Sequence, residues 1–157
     1  DVAKYFVHFL QEESCGKCLP CREGLKRMGD ILDRITEGKG SEEDLSLLNE
    51  LAEVVADTSL CGLGKTAPNP VLSALRYFRP EFEAHIHQKR CPAGVCTPLI
   101  EYSISETDCT GCGACARICP TQAIKGEKKQ SHLILTEICL KCGSCKDVCQ
   151  ANAVMVQ

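Results

Sequence analysis

The chain has 157 residues, 44% of them apolar, which is enough for one ordinary domain or two small ones with a packed core. The net charge is −3, and no basic stripe or aromatic-rich basic patch favours nucleic acid as a partner. No signal peptide or apolar run long enough for a membrane span is present, so we expect a soluble protein in a reducing, cytoplasmic compartment. The chain begins at Asp1 inside an apolar, helix-periodic run, and we expect it to be part of a longer polypeptide.

Fourteen cysteines are many for this length, and most of them lie in close-spaced sets. A secreted scaffold held by disulfides would also be rich in cysteine. Eleven of the fourteen, however, are separated from a neighbour by only two or three residues. Cysteines at that spacing converge on one point instead of joining distant segments, which favours bound metal over disulfides.

The first ninety residues are predicted to form a bundle of four or five helices. Pro20 starts the best-marked of these, in which apolar residues recur every three to four positions until Gly38 ends it. Ser41 and Asp44 resemble a capping box in front of the next amphipathic helix. Two later prolines, Pro70 after Asn69 and Pro80, mark further starts, and the last helix runs toward His87.

From residue 97 onward the pattern changes to short β-like runs that alternate with cysteine-containing loops. Strands are predicted over 99–104 and 132–135. Residues 109–124 superpose on 139–154 with all four cysteines matched. This internal duplication predicts a pseudo-twofold module. A module of this size with few aromatic residues would have a small core, so we expect bound groups to organise it.

Each repeat carries a Cys-x2-Cys-x2-Cys-x3-Cys run, the ligand spacing of ferredoxins that hold two 4Fe-4S clusters. In ferredoxins with this spacing the fourth cysteine of each run ligates the other cluster. By that rule one cluster takes Cys109, Cys112, Cys115 and Cys149, and the other takes Cys139, Cys142, Cys145 and Cys119. Two zinc sites are the alternative, although zinc usually takes paired Cys-x2-Cys knuckles joined by a longer spacer. Residues 99–157 thus resemble a bacterial two-cluster ferredoxin.

A third set comprises Cys15, Cys18 and Cys21, in Ser-Cys-Gly-Lys-Cys-Leu-Pro-Cys-Arg-Glu-Gly, and Cys61, in Ser-Leu-Cys-Gly-Leu-Gly. Three ligands at a helix start and a fourth on a distant loop suit a single 4Fe-4S cluster within the helical bundle. With these two motifs, residues 1–77 resemble the cluster domain of the NADH-binding flavoprotein subunit of respiratory complex I. They equally resemble the relatives of that subunit in NAD(P)-linked hydrogenases and formate dehydrogenases.

That resemblance implies an upstream domain that binds FMN and NAD(P) and whose reduced flavin passes electrons to this cluster. No glycine-rich nucleotide-binding sequence is present in these residues, so we expect relay clusters here and no catalytic residues. The appended two-cluster module resembles the β subunit of multimeric iron-only hydrogenases, including those that bifurcate electrons between NADH and ferredoxin. The implied partners are other subunits of a hydrogenase complex, or soluble ferredoxin. A formate dehydrogenase or an NAD(P)H:ferredoxin oxidoreductase is the alternative.

Cys91 and Cys96 belong to neither pattern, and His85 and His87 lie just upstream. We predict a small zinc site formed by His85, Cys91 and Cys96, with a fourth ligand from His87 or a partner. Helical residues two apart point away from each other, so both histidines can serve only if the helix has ended. Reduced structural thiols are the alternative. A 2Fe-2S cluster needs four ligands, and only two thiols are spare.

These inferences together predict an α+β chain. A helical domain with one 4Fe-4S cluster covers 1–88, a joint with the zinc site covers 89–98, and a ferredoxin domain with two 4Fe-4S clusters covers 99–157. The predicted function is an electron relay in an NAD(P)H-linked oxidoreductase. Radical enzymes that act on substrate at a cluster use Cys-x3-Cys-x2-Cys, an order that no run here has. A zinc-binding structural module is a remote alternative.

Overall fold

The computed structural model describes residues 1–156 and divides the chain into two compact units, one from Asp1 to Leu99 and one from Ile100 to the C-terminus. The first unit is helical, and the second combines short helices with short strands. This content is that of an α+β chain. None of the helices in the described residues is long and apolar enough to cross a membrane.

The first unit contains six helices among its described residues, against the four or five predicted. They are α1 (Val2–Glu13), α2 (Leu19–Thr36), α3 (Glu42–Thr58), α4 (Gly62–Thr66), α5 (Asn69–Tyr77) and α6 (Arg79–His87). Helix α4 escaped prediction because five residues are too few to show a helical period.

The core of this unit lies mainly between α2 and α3, whose apolar stripes face each other. Both stripes recur every three to four residues, as amphipathic helices require. The fully or almost fully buried side chains include Leu25, Met28, Ile31, Ile35, Leu48 and Val55. Pro20 lies in the first turn of α2, and Gly38 follows the helix with a positive φ of 77°. The signals used to predict α2 are therefore the ones that start and end it.

Helix α1 contains the apolar run at the start of the chain, but only part of that run is buried. Ala3 and Val7 face the core, whereas Tyr5, Phe6 and Phe9 remain 66%, 42% and 45% exposed. The helix therefore packs through its small residues, and the aromatic side lies outward within this unit.

Among its described residues, the second unit contains two antiparallel pairs of strands, two short α-helices and a 3-10 turn at Thr136–Ile138. The strands are β1 (Tyr102–Ile104), β2 (Ile124–Lys125), β3 (Leu133–Ile134) and β4 (Val154–Val156), and the helices are α7 (Ala114–Ile118) and α8 (Ser144–Asp147). Strand β1 pairs with β4, and β2 pairs with β3. The two pairs are related by a shift of thirty residues, as the duplication predicts. Strand β1 is shorter than the predicted 99–104, because Thr97–Leu99 forms a 3-10 turn.

Candidate cluster and metal sites

Two cavities in the second unit are each lined by four cysteines. One is lined by Cys109, Cys112, Cys115 and Cys149, and the other by Cys139, Cys142, Cys145 and Cys119. In each cavity the fourth cysteine comes from the other repeat. For each of the two predicted cluster sets, the fold thus gathers all four cysteines in one cavity.

The backbone around both cavities follows one pattern that turns N–H groups toward sulfur. Gly113 and Gly143 adopt left-handed conformations, with φ of 71° and 80°, immediately before α7 and α8. Ala123 N–H donates to Cys119 Sγ, and Ala153 N–H donates to Cys149 Sγ, both at 3.3 Å. Such N–H groups stabilise negative charge on sulfur, which is the state in which cysteine binds iron.

The thiols of the second unit also differ in how easily they ionise. Burial raises the pKa of Cys115 and of Cys145. The Ser144 hydroxyl lowers the pKa of Cys142. Burial of Cys119 opposes its ionisation, but hydrogen bonds from Thr121 and from backbone N–H groups lower its pKa overall. A cationic group in the cavity would favour the thiolate at the buried positions too.

One buried polar atom beside the first of these cavities lacks a partner. His132 lines the cavity of Cys109 and is 5% exposed, and its Nδ1 has no hydrogen-bond partner within residues 1–156. A cluster bound there would bring acceptor sulfurs into the cavity that this ring lines, so the four cysteines and the unpartnered nitrogen both fit an iron–sulfur group. Tyr102 lines the other cavity at the equivalent position.

The first cysteine set is arranged around the starts of two helices. Cys18 precedes α2, Cys21 lies in its first turn, and Cys61 precedes α4. Cys18 and Cys21 pack in one small apolar cluster with Leu63, two residues after Cys61. Cys15 and Cys61 themselves are exposed. The fold therefore brings the two motifs of this set to the same part of the helical unit.

A second orphaned polar atom lies beside this set. Ser59 is 2% exposed, and its Oγ has no partner among the described residues. A Cβ atom placed on Gly64 would lie 2.6 Å from that oxygen and 3.5 Å from the Cβ of Cys21. The glycine thus allows the hydroxyl to approach the cysteine set closely, where it could donate to a cluster sulfur.

His85, Cys91 and Cys96 form a compact buried group. Their ligand atoms all lie within 4.8 Å of one another. His85 Nδ1 lies 2.7 Å from the carbonyl oxygen of Glu81, so it carries the proton and donates. His85 Nε2 is then the acceptor nitrogen of the ring, and it lies 3.3 Å from Cys96 Sγ. This tautomer is the one that a metal-binding histidine needs.

The two thiols of this group differ in pKa. Burial raises the pKa of Cys96 to about 11. Burial also opposes ionisation of Cys91, but the surrounding backbone N–H groups and the Cys96 thiol outweigh it and lower the pKa of Cys91. His87 lies on the opposite side of α6, is half exposed, and pairs with Glu42 at 3.0 Å. The structure therefore does not bring His87 to this group.

The spacing of sulfur atoms separates this group from the cluster sets. Around a tetrahedral zinc with Zn–S bonds of about 2.3 Å, neighbouring sulfurs lie about 3.8 Å apart. Within the described part of the chain, His85, Cys91 and Cys96 are the only three ligand-type residues whose atoms lie within 4.8 Å of one another. Within the described residues, no three cysteines of one cluster set come within that distance of one another.

Sequence reasoning missed Ser59, Tyr102 and His132 as neighbours of the cysteine sets. A signal for two of them exists, because Tyr102 and His132 are thirty residues apart and the repeats are offset by thirty. Ser59 has no comparable signal. Its burial depends on how α4 packs, which the sequence does not reveal.

Comparison with known proteins finds a family match within each of the two units. Residues 1–85 match the NADH-ubiquinone oxidoreductase-F iron-sulfur binding region, and residues 102–125 match a 4Fe-4S binding domain. The chain is 56% identical over 131 residues to the NADP-reducing hydrogenase subunit HndC of Solidesulfovibrio fructosivorans, covering 83% of this chain and 27% of that protein. It is 45% identical over 87 residues to a subunit of the NADH-quinone oxidoreductase of Streptomyces coelicolor, covering 55% of this chain and 19% of that protein.

One solved structure is similar to 55% of this chain, the same share that the quinone oxidoreductase subunit covers. It is described as an NAD+-reducing [NiFe]-hydrogenase in the H2-reduced state, with 34% identity, a TM-score of 0.53, and coverage of 55% of this chain and 15% of that one. The chain spans roughly a quarter or less of the length of these relatives. The resemblance predicted from the cysteine motifs is confirmed. Since the family match covers more than half of its residues, the chain belongs to the family of the NADH-ubiquinone oxidoreductase-F iron-sulfur binding region.

Proposed function

We propose that the chain is an electron relay with three 4Fe-4S clusters in an NAD(P)H-linked hydrogenase complex. Cys15, Cys18, Cys21 and Cys61 hold one cluster, and the two cavities of the second unit hold the others. Electrons enter from an FMN and NAD(P) domain outside these residues and leave to a hydrogenase subunit or to ferredoxin. For the domains we propose the limits 1–88, 89–98 and 99–157.

The observation that carries this proposal is the pair of cavities in the second unit. Each contains a complete set of four cysteines, and each takes its fourth cysteine from the other repeat. This exchange is the arrangement that ferredoxins with this spacing use for two 4Fe-4S clusters. Zinc usually takes paired Cys-x2-Cys knuckles joined by a longer spacer, whereas each run here supplies three consecutive ligands and a fourth.

In this proposal the cysteines bind the clusters, and nearby backbone N–H groups set the electrostatic environment of the cluster sulfurs. When bound, a 4Fe-4S cluster takes up or gives off one electron. The cysteine thiolates hold it, and the N–H groups of residues such as Ala123 and Ala153 stabilise the negative charge on the sulfurs. No acid, base or nucleophile is needed for electron transfer, and the proposed role uses none.

The choice of a hydrogenase complex comes from the relatives. The protein that is similar over 83% of this chain is a subunit of an NADP-reducing hydrogenase, whereas the quinone oxidoreductase relative is similar over 55%. The match to the hydrogenase subunit is long enough to extend into the ferredoxin unit, whereas the match to the quinone oxidoreductase subunit covers 87 residues.

We also propose that His85, Cys91 and Cys96 bind zinc. The three ligand atoms are buried, close together and correctly polarised by the Glu81 carbonyl. Because His87 is engaged with Glu42, water or a partner residue supplies the fourth ligand. The role of this site is to hold the segment after α6 in place.

The test is metal and sulfide analysis of the full chain purified without oxygen. We expect about twelve iron and twelve sulfide per chain for three 4Fe-4S clusters, together with one zinc. The Cys91→Ala/Cys96→Ala variant should lose zinc and keep its iron. A colourless protein with zinc and no sulfide would overturn the relay, and unchanged zinc in the variant would overturn the zinc site. Reduction of the clusters by NADPH in the complete complex would then test the source of electrons.

A further inference from the structure

His132 occupies a built position beside one of the two cavities. Its ring is 5% exposed and packs against Gly126, where an added Cβ would lie 2.7 Å from the His132 Cγ. The cavity that it lines is the one formed by Cys109, Cys112, Cys115 and Cys149. Any side chain at residue 126 would displace the ring. The position of the His132 ring therefore depends on the glycine at 126.

One of the two polar atoms of this ring has no partner within the described residues. His132 Nδ1 is buried and has no hydrogen-bond partner there. An unpaired buried polar atom costs free energy that an aliphatic or phenyl side chain of similar size would avoid. Filling space therefore does not explain a histidine, whereas an acceptor inside the cavity would.

The repeat places a different aromatic residue at the equivalent point of the other cavity. Tyr102 precedes His132 by thirty residues, and it lines the cavity of Cys119, Cys139, Cys142 and Cys145. Its Oη lies 3.0 Å from the Cβ position of Gly143, and His132 Nε2 lies 3.8 Å from that of Gly113. Each of these glycines directly follows the second cysteine of its run. The two rings thus occupy matched places with different chemistry.

We propose that His132 raises the reduction potential of the cluster in the cavity of Cys109, separately from the cluster beside Tyr102. This inference rests on the proposed two-cluster function of the second unit. Reduction adds one electron and one negative charge, and no bond is formed or broken. A ring N–H that donates to a buried cluster stabilises that added charge, and a phenolic O–H does so to a different extent. The repeat therefore builds two unequal clusters from one ligand pattern.

The test is an EPR-monitored potentiometric titration of the full chain, wild type and variants. His132→Phe should move one cluster signal to more negative potential and leave the other signals in place. His132→Gln keeps an N–H donor and should return that signal toward its wild-type position. Tyr102→Phe should move a different signal. Iron and sulfide contents are measured for every variant as the control for assembly.

Each other outcome counts against the idea. Unchanged potentials in His132→Phe, or a shift of the same signal by His132→Phe and Tyr102→Phe, would overturn it. If both His132 variants lose iron, the residue is needed for assembly, and the tuning role is wrong. If the wild-type chain lacks the iron and sulfide of two clusters in this unit, the proposed function itself fails, which the metal analysis reveals before any variant is titrated.

Discussion

At the scale of single residues, Asp44 connects two helices through one carboxylate. It is 6% exposed and accepts the Ser41 N–H at 2.9 Å, which caps the start of α3. The same carboxylate pairs with Arg34 of α2. Burial opposes ionisation of Asp44, but the hydrogen bonds from Arg34 and Ser41 outweigh it and lower its pKa below the ordinary value of 3.8.

We expect Asp44→Asn to lower the free energy of unfolding of the helical unit by about 1–2 kcal/mol, because a cap and a charged hydrogen bond weaken together. The folded pKa is depressed, so this contribution is present above pH 3.8 and is lost as pH falls through the folded pKa. The difference between wild type and variant should therefore be constant near neutral pH and shrink below about pH 4. Urea unfolding followed by circular dichroism at several pH values measures it.

Glu50→Gln is the matched control, since Glu50 lies on the same helix and is exposed. It should change stability little at any of these pH values. A difference between wild type and Asp44→Asn that stays unchanged down to the lowest pH would contradict the assigned role of the carboxylate.

The same residue shows how far sequence reasoning reached at this scale. The spacing of Ser41 and Asp44 was enough to predict a capping box, because its two members are three residues apart. Arg34 lies on another helix, and only the packing of α2 on α3 brings it to Asp44. The grouping of His85, Cys91 and Cys96 is intermediate in how easily the sequence predicts it, because a short turn after α6 suffices to bring the three residues together.

At the scale of elements, the contact of α2 with α3 depends on a close approach at Gly24. A Cβ atom on Gly24 would lie 2.2 Å from Val55 Cγ2, which is far inside van der Waals contact. The glycine belongs to the motif that carries Cys15, Cys18 and Cys21, and α3 leads to the loop of Cys61. The distance between the two helices is therefore coupled to the cysteine set at their ends.

We expect Gly24→Ala to destabilise the helical unit by about 1–3 kcal/mol, although alanine favours helix by itself. The variant should also bind less iron, because α2 and α3 must move apart. Adding Val55→Ala should restore part of both losses, since it removes the clashing methyl group. Thermal unfolding and iron analysis provide the measurements.

Lys26→Ala is the control for this experiment, because Lys26 lies on the same helix as Gly24 and is exposed. It should leave unfolding unchanged. Full stability of Gly24→Ala, or failure of Val55→Ala to improve it, would show that the close approach is not what limits the packing of these helices.

Elements were predicted well where a long period exists and poorly where it does not. Helices α2 and α3 repeat an apolar stripe over four or five turns, so their positions follow from the sequence alone. Helix α4 and strand β2 have five and two residues, and a segment that short carries no period. Helix α1 shows a different limit. Apolar residues lie on more than one side of it, so the sequence does not reveal which of them face the core.

At the scale of the whole molecule, the two units bind their proposed clusters in different ways. In the first unit, one set of four cysteines comes from two motifs of the same helical bundle. In the second, each cavity takes three cysteines from one repeat and the fourth from the other. Cys115 and Cys145 also share one small apolar core with Ile124 and Val154. This core is small, so the cysteines and what they bind form much of the interior.

We therefore expect the second unit to lose both clusters when either exchanged cysteine is removed. Cys119→Ser and Cys149→Ser should each lower the iron content by about eight atoms per chain, although each removes one ligand of one cluster. Cys61→Ser, in the first unit, should lower it by about four. Iron and sulfide analysis of the three variants, prepared without oxygen under the same conditions, makes the comparison. A loss of only about four iron atoms in Cys119→Ser and Cys149→Ser would mean that each cavity assembles alone, and that the exchange of cysteines between repeats does not couple the clusters.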